Sequence, residues 1–271
     1  LAYRITGEVA LSEDIVQESL IHWATLPEHH VQAYLGKMVT NRCLNHLAAT
    51  RRQREAYKGS WLPEPIISQA YNQVEAEVDI SYGLMILLGK LTPAERAVFL
   101  LKESFGIEYG ELAEALHLTQ ANCRQLYHRA KDKLSGTKKR FPLNAIHYQQ
   151  LLNAFTHASQ TGNLDNLLAL LQEDIILYSD GGGKVPAALH PLAGLTQVSV
   201  FLNGLFQKYI PRFNSQFAVV NGGPGLLLLD KTTHKPNSII AFDLTQAGVD
   251  GIYIIRNPDK LLNVPVAWHV S

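Results

Sequence analysis

The sequence predicts a multidomain chain in which two all-helical modules precede an α+β domain built on a curved antiparallel sheet. Three observations lead there. Up to about residue 140, apolar residues recur at three- and four-residue spacing; after about residue 143, a few helical stretches give way to four short apolar runs divided by Gly, Pro and Asp/Asn turns. The third observation is that charge is sorted along the chain although its formal net value is zero. With 271 residues there is room for two or three cores, and the pattern divides the chain at 1–60, 61–82, 83–141 and 142–271.

The first predicted helix opens at Ser12-Glu13-Asp14-Ile15-Val16-Gln17-Glu18. A step of about 100° per residue puts Val16, Leu20, Trp23 and Ala24 on its inner face and Asp14, Glu18, Ile21 and Thr25 outside. Carboxylates in a first turn complement the helix dipole. An apolar Ile21 among them points instead to a protein partner with basic and apolar features. The 8–28 segment holds five acids and no Lys or Arg.

A second helix is expected from about Val31 past Arg54, with Tyr34, Leu35, Met38, Val39, Leu44 and Leu47 in its core. Asn41, Asn45, Ala48 and Arg52 share one stripe, and Arg51, Arg54 and Lys58 extend its positive end. Amides for base edges followed by arginines for phosphates suit a single-stranded or partly opened nucleic acid. An exposed, Arg-rich helix end accounts for the same residues without one. The 61–82 stretch follows, where Pro63 and Pro65 break any helix and Glu75, Glu77 and Asp79 keep it acidic, as in a linker that does not touch phosphates.

The 91–134 stretch reads as a helix-turn-helix. Thr92, Pro93 and Glu95 form a capping-box start, Ala94, Ala97, Val98 and Leu101 a core stripe, and Gly106 a stop. A short second helix carries Leu112, Ala113 and Leu116. After the turn at His117-Leu118-Thr119, a third helix buries Cys123, Leu126, Tyr127, Ala130 and Leu134. Its other side shows Ala121, Gln125, His128 and Arg129, flanked by Arg124 and Lys131, which are groups that base edges and phosphates accept. Seven Lys or Arg, including Lys138, Lys139 and Arg140, stand against one Asp over 119–140.

Cys43 and Cys123 both fall at helical positions, so neither a disulfide framework nor a zinc site is implied, consistent with a reducing cytoplasm. No apolar run has the length of a membrane helix, and the opening Leu1-Ala2-Tyr3-Arg4 is not a signal peptide; it begins mid-pattern, so a short N-terminal piece is expected before it.

The order of these blocks resembles a bacterial RNA polymerase sigma factor of the extracytoplasmic-function group (group IV). The matching text is Leu1 to Gly7, Ser12 to Glu18, Ala33-Tyr34-Leu35, Thr40 to Leu44, Arg51 to Glu55, Thr92 to Phe99 and Asn122 to Ala130. The resemblance implies RNA polymerase core and promoter DNA as partners. It assigns Asp14, Gln17, Glu18 and Ile21 to the beta-prime clamp helices. Asn41, Asn45, Arg51, Arg52 and Arg54 would act at the −10 element. The beta flap is a further expected polymerase contact, and Ala121, Arg124, Gln125, His128, Arg129 and Lys131 would read the −35 element. Such factors commonly have an Asp at the position of Asn45 and an Arg at that of Ala48, so strand opening or the −10 preference is expected to differ here.

In the C-terminal half, Tyr148, Leu151, Leu152 and Phe155 mark a helix, 164–171 another and 198–209 a third, with strands at 175–179, 216–220, 226–229, 238–244 and 251–256. The pattern resembles the cone-shaped fold of nuclear transport factor 2 and SnoaL-type polyketide cyclases. Trp61-Leu62-Pro63-Glu64-Pro65, Asp180-Gly181-Gly182-Gly183-Lys184 and Asn257-Pro258-Asp259-Lys260 resemble signatures of the sigma subgroup that carries this domain as a built-in regulator. That assigns the last two loops to contacts with the sigma core or polymerase. The triple glycine is no phosphate-binding loop, because Gly-x-x-x-x-Gly-Lys-Ser/Thr is absent. Tyr178, Asp180, His190, Asp243 or His269 can supply a base in a pocket, but no triad, metal spacing or cofactor motif assembles, so no catalytic residue, metal or cofactor is expected. A small-molecule ligand of this domain remains open. A ligand-sensing DNA-binding regulator and a SnoaL-like enzyme fused to a DNA-binding module are the alternative readings.

Overall fold

The computed structural model describes residues 1–25, 31–68, 81–135 and 145–264, with side chains at 31–33, 68 and 145–148 left aside. Glu28, the acids Glu75, Glu77 and Asp79, the basic Lys138, Lys139 and Arg140, His269 and the Tyr148 side chain therefore lie outside the described set. The chain forms two compact units, Leu1–Ala56 with Leu84–Thr137, and Tyr57–Gly83 with Lys138–Ser271.

In the first unit, α1 (Ala2–Thr6), α2 (Val9–Trp23) and α3 (Val31–Glu55) share a core with α4 (Tyr82–Gly89) and α5 (Pro93–Phe105). Ile5, Ile15, Val39, Cys43 and Leu47 pack there with Met85, Leu88, Leu91 and Leu100. The inner face of α2 departs from expectation. Ser12, Ile15 and Ser19 are buried, whereas Leu20 and Ala24 are exposed and Val16 and Trp23 only half-buried. Short hydroxyls fit because each satisfies itself on the preceding turn: Ser12 Oγ donates to Glu8 O at 2.6 Å and Ser19 Oγ to Ile15 O at 2.7 Å. Tyr34, expected in the core, is likewise exposed.

The helix-turn-helix forms as read. Thr92 and Glu95 complete the capping box that starts α5, and Gly106 ends it in the left-handed conformation at φ 64°. α6 (Tyr109–Leu116) closes at His117, φ 55°, and α7 (Gln120–Leu134) starts at the Thr119 cap. Val98, Leu101, Leu112 and Cys123 make their own core. Arg96 is buried on α5 and donates to Ile5 O at 2.5 Å, which ties α5 to α1; burial, helped by Arg54, lowers its pKa to about 10.

The second unit is α+β. Its seven described strands, with β1 (Ile67–Ser68) and β3 (Leu192–Ala193) as the two edges, run in the order β1-β4-β5-β6-β7-β2-β3. Here β4 (Phe213–Val220), β5 (Gly223–Asp230), β6 (Pro236–Thr245) and β7 (Gly248–Ile255) form an antiparallel meander. The sheet is mixed rather than purely antiparallel, because β2 (Leu171–Asp180) lies parallel to β7. Those two strands are joined through the whole intervening meander, so no hairpin forces them to run oppositely. The helix expected at 164–171 shrinks to α9 (Asp165–Leu168), since Leu171 already enters β2.

α8 (Ala145–Thr161) and α10 (Leu195–Lys208) cover one face of the sheet. Leu151, Phe155, Val198, Leu202 and Phe206 meet Ile175, Leu177, Leu226, Ile240, Ile252 and Ile254 there. Strand alternation turns Tyr178, Asp180, Asp243, Tyr253 and Ile255 to the other face. Among the described residues of the 57–83 segment, β1 extends the sheet at its β4 edge, and the Tyr82 ring stacks on Tyr253, on that second face, at 5.2 Å.

Candidate nucleic-acid interface and linker-holding loops

α7 keeps its predicted outer face free of the core. Ala121, Arg124, Gln125, His128, Arg129 and Lys131 are all exposed, while Cys123 and Ala130 are buried opposite them. Two of its cations are braced on rings: the Arg124 guanidinium lies 5.4 Å from the Tyr109 ring and Lys131 Nζ 5.5 Å from Tyr127. Tyr127 donates to Glu103, and that bond, with burial second, raises its pKa to about 12. The face is thus a row of solvated donors on a helix whose far side is anchored.

The α3 stripe is divided among tasks. Asn45 and Arg52 are exposed. Asn41 Nδ2 donates to Ala115 O in α6 at 3.0 Å, so its amide is already bonded inside the first unit. Arg51 pairs with Glu55 in solvent at 2.7 Å. Arg54 turns inward, donating to Thr6 O at 2.6 Å and to Glu8 at 2.7 Å. On α2, Asp14 and Gln17 are exposed and Ile21 is 62% exposed, while Glu18 pairs with Arg42.

In the second unit, the two loops singled out by sequence meet at one carboxylate. Asp180 is 1% exposed and accepts from four donors: Tyr57 Oη at 2.5 Å, Leu62 N at 2.9 Å, Gly182 N at 2.9 Å and Lys260 Nζ at 2.7 Å. Lys260 also donates to Leu62 O and lies 4.3 Å from the Trp61 ring. Asn257 Nδ2 donates to Tyr57 Oη at 2.9 Å, and Lys184 pairs with Asp259 at 2.6 Å. Burial first, and then the bond to Asp180, push the Tyr57 phenol above its ordinary value near 10.

The glycines are required by space. A Cβ on Gly181 would sit 2.2 Å from Val185 O, and one on Gly182, at φ 63°, 2.5 Å from Asn257 Cγ. The sequence assigned both loops to the sigma core or polymerase; here they hold Tyr57, at the end of the 1–60 stretch, and Trp61 and Leu62, which open the linker. The available signal was the Trp61-Leu62-Pro63 cluster, apolar enough to need cover.

The residues considered as bases are engaged or exposed. Asp243 accepts from Tyr253 Oη at 2.6 Å and Gly83 N at 2.9 Å. Tyr178 stacks on Tyr253 at 5.7 Å, and burial raises its pKa. His190 is exposed. No His, Cys, Asp or Glu group among the described residues is arranged to hold a metal ion, and no described helix is long and apolar enough to cross a membrane.

Residues 84–134, from α4 to α7, match the family described as Sigma-70, region 4. The ECF RNA polymerase sigma factor SigJ of Mycobacterium tuberculosis (strain ATCC 25618 / H37Rv) is 31% identical over 284 residues, covering 98% of this chain and 90% of that protein. The chain belongs to the ECF RNA polymerase sigma factors. The crystal structure of the M. tuberculosis SigJ matches this sigma factor with a TM-score of 0.77 at 29% identity, over 98% of this chain and 95% of that one. The likeness therefore includes the C-terminal SnoaL-like domain as well as the helical modules. The probable ECF RNA polymerase sigma factor SigI of M. tuberculosis (strain CDC 1551 / Oshkosh) is 32% identical over 183 residues, 65% of this chain and 63% of that protein. Membership makes this sigma factor a transcription-initiation protein rather than an enzyme, with RNA polymerase core and promoter DNA as its partners.

Proposed function

We propose that this cytoplasmic sigma factor works as a two-part promoter reader whose linker is governed in cis by its own C-terminal domain. Residues 1–60 act as the region that binds polymerase and the −10 element, 83–141 as the −35 reader, and 142–271 as the regulator. Asp14, Gln17, Glu18 and Ile21 dock on the beta-prime clamp helices, and the helix-turn-helix engages the beta flap. Asn41, Asn45, Arg51 and Arg52 serve the opened −10 strand, with Arg54 positioning α3 from inside. Gln125, His128 and Arg129 read base edges in the −35 major groove, while Arg124 and Lys131 hold phosphates.

The observation that carries the regulatory half is the grip of Asp180 and Lys260 on Tyr57 and Leu62, at the start of the linker between the two readers. A linker held on the sheet is not free to span polymerase, so activity requires that grip to change. Asn41 adds a second requirement: its amide must leave Ala115 O before it can hold a base.

Run-off transcription from a selected promoter tests the reading. Reversal of Asp14 and Glu18 to Lys is expected to abolish core binding while leaving circular dichroism unchanged, and substitution of Asp180 or Lys260 to change transcript yield. Tight, specific promoter binding without polymerase, and with no effect on it, would instead favour a repressor.

A further inference from the structure

The sheet face opposite the linker carries a cavity of about 490 Å³, between α10, the 185–192 loop and the ends of β2 and β7. That volume is within the range of small-molecule pockets. Its walls are apolar, from Leu192, Phe201, Leu205 and Ile254. Val200 stands at its rim, 72% exposed. Gly204 on α10 leaves open space, since a Cβ there would meet nothing within 4 Å. Glycine inside a helix is less stable than alanine, so the emptiness is maintained at some expense of stability.

Two polar groups converge on this apolar chamber. Ser179 is 1% exposed, and its hydroxyl has no hydrogen-bond partner. A buried hydroxyl left unbonded carries its desolvation penalty, which a ligand atom would relieve. Arg256 donates to Pro186 O at 2.6 Å and lies 5.3 Å from the Tyr209 ring. No carboxylate pairs with it among the described residues, and Lys208 also lines the cavity. Burial lowers the Arg256 pKa, as expected for a partly desolvated guanidinium.

We infer that this cavity is a binding site for an amphipathic small-molecule carboxylate, its apolar body among Leu192, Phe201 and Leu205 and its carboxylate on Arg256 and Ser179. A guanidinium fork matches a carboxylate in plane, and the apolar walls suit the body of an amphipathic acid. The site is wired to the linker through strand alternation. Ser179 faces the cavity and Asp180, next to it, holds the linker; Arg256 faces the cavity and Asn257, next to it, holds Tyr57. The backbone N–H groups of Arg256 and Asn257 both donate to Asp180 O, at 2.7 and 2.9 Å. Occupation of the cavity thus shifts the strand ends that grip the linker, a consequence that rests on the C-terminal domain being a cis regulator.

Isothermal titration of the full chain with 2-naphthoate, phenylacetate and decanoate, and with 2-naphthamide as the uncharged control, tests the site without polymerase or promoter. Failure here is therefore separable from failure of the sigma-factor reading. At least one carboxylate is expected to bind at one per chain. Arg256→Gln should weaken that carboxylate by at least about tenfold more than the amide. Gly204→Leu, which fills the open space from a helix position, should remove binding of both while circular dichroism stays unchanged. No binding of any of the three acids at millimolar concentration, equal losses for acid and amide in Arg256→Gln, or unchanged binding in Gly204→Leu would each overturn the inference.

Discussion

The outer face of α7 and the loop knot around Asp180 are both built from charge, and they use it in opposite ways. On α7, Arg124, Arg129 and Lys131 stay in water, two with rings for support. At the knot, Lys260 and Asp180 have side chains 7% and 0% exposed and every bond is intramolecular. Solvated cations contribute little to folding and remain available to an outside anion. A desolvated pair contributes geometry: breaking it leaves a buried charge, so the pair holds its partners in one arrangement. The first region is a surface for recognition and the second a restraint on the linker.

The sharpest way to break this comparison is Asp180→Ala. It strands Lys260 and removes the acceptor for Tyr57 and Leu62 N, so a loss of about 3–5 kcal/mol is expected in denaturant unfolding of the C-terminal unit. Proteolysis of residues 57–62 should accelerate with it. The double variant Asp180→Asn with Lys260→Met should recover part of that loss; a double variant as unstable as the sum of the singles would show that the pair is not coupled.

Gly182→Ala comes next. Its methyl group meets Asn257 at a positive φ, so a loss of about 1–3 kcal/mol is expected, read by thermal unfolding. On the reading face the effect moves from stability to binding. Gln125→Ala should change unfolding by less than about 0.5 kcal/mol. The same change should cost about 1–3 kcal/mol of discrimination at one −35 base pair in holoenzyme binding to a promoter panel.

The smallest effect sharpens the knot by pH. Tyr57 has a folded pKa raised above its ordinary value near 10, so its contribution is complete below that pH and is lost as pH rises beyond it. Protection of the 57–62 segment should decline above pH 10 in the parent chain. In Tyr57→Phe the decline should flatten, as followed by proteolysis rate against pH.

Much of the first unit was legible from local signals. The capping box at Thr92, the stop at Gly106 and the Thr119 cap each depend on residues within one turn, and the structure has them where the pattern puts them. The stripe of α2 was misjudged because Ser12 and Ser19 count as polar in a periodicity, yet their hydroxyls are satisfied on the helix itself. α4 went unread because Leu84-Met85-Ile86-Leu87-Leu88 is apolar without a period. At the candidate site, the outer faces of α2 and α7 were predictable as exposed. That Arg54 turns inward to Thr6 and Glu8, and that Asn41 is bonded to Ala115, was not, because those partners lie far off in sequence.

By itself the sequence determined element type, the helix-turn-helix with its basic face, and the two loops that had to be special. Caps, turns and amphipathic stripes are local, and local energies are written in adjacent residues. Only the tertiary structure decided that β2 runs parallel to β7, that Tyr57, Leu62 and Tyr82 settle on one sheet face, and that a cavity with Arg256 opens on the other. Each of those depends on which distant groups can satisfy a buried charge or hydroxyl. That accounting closes only when the chain is folded.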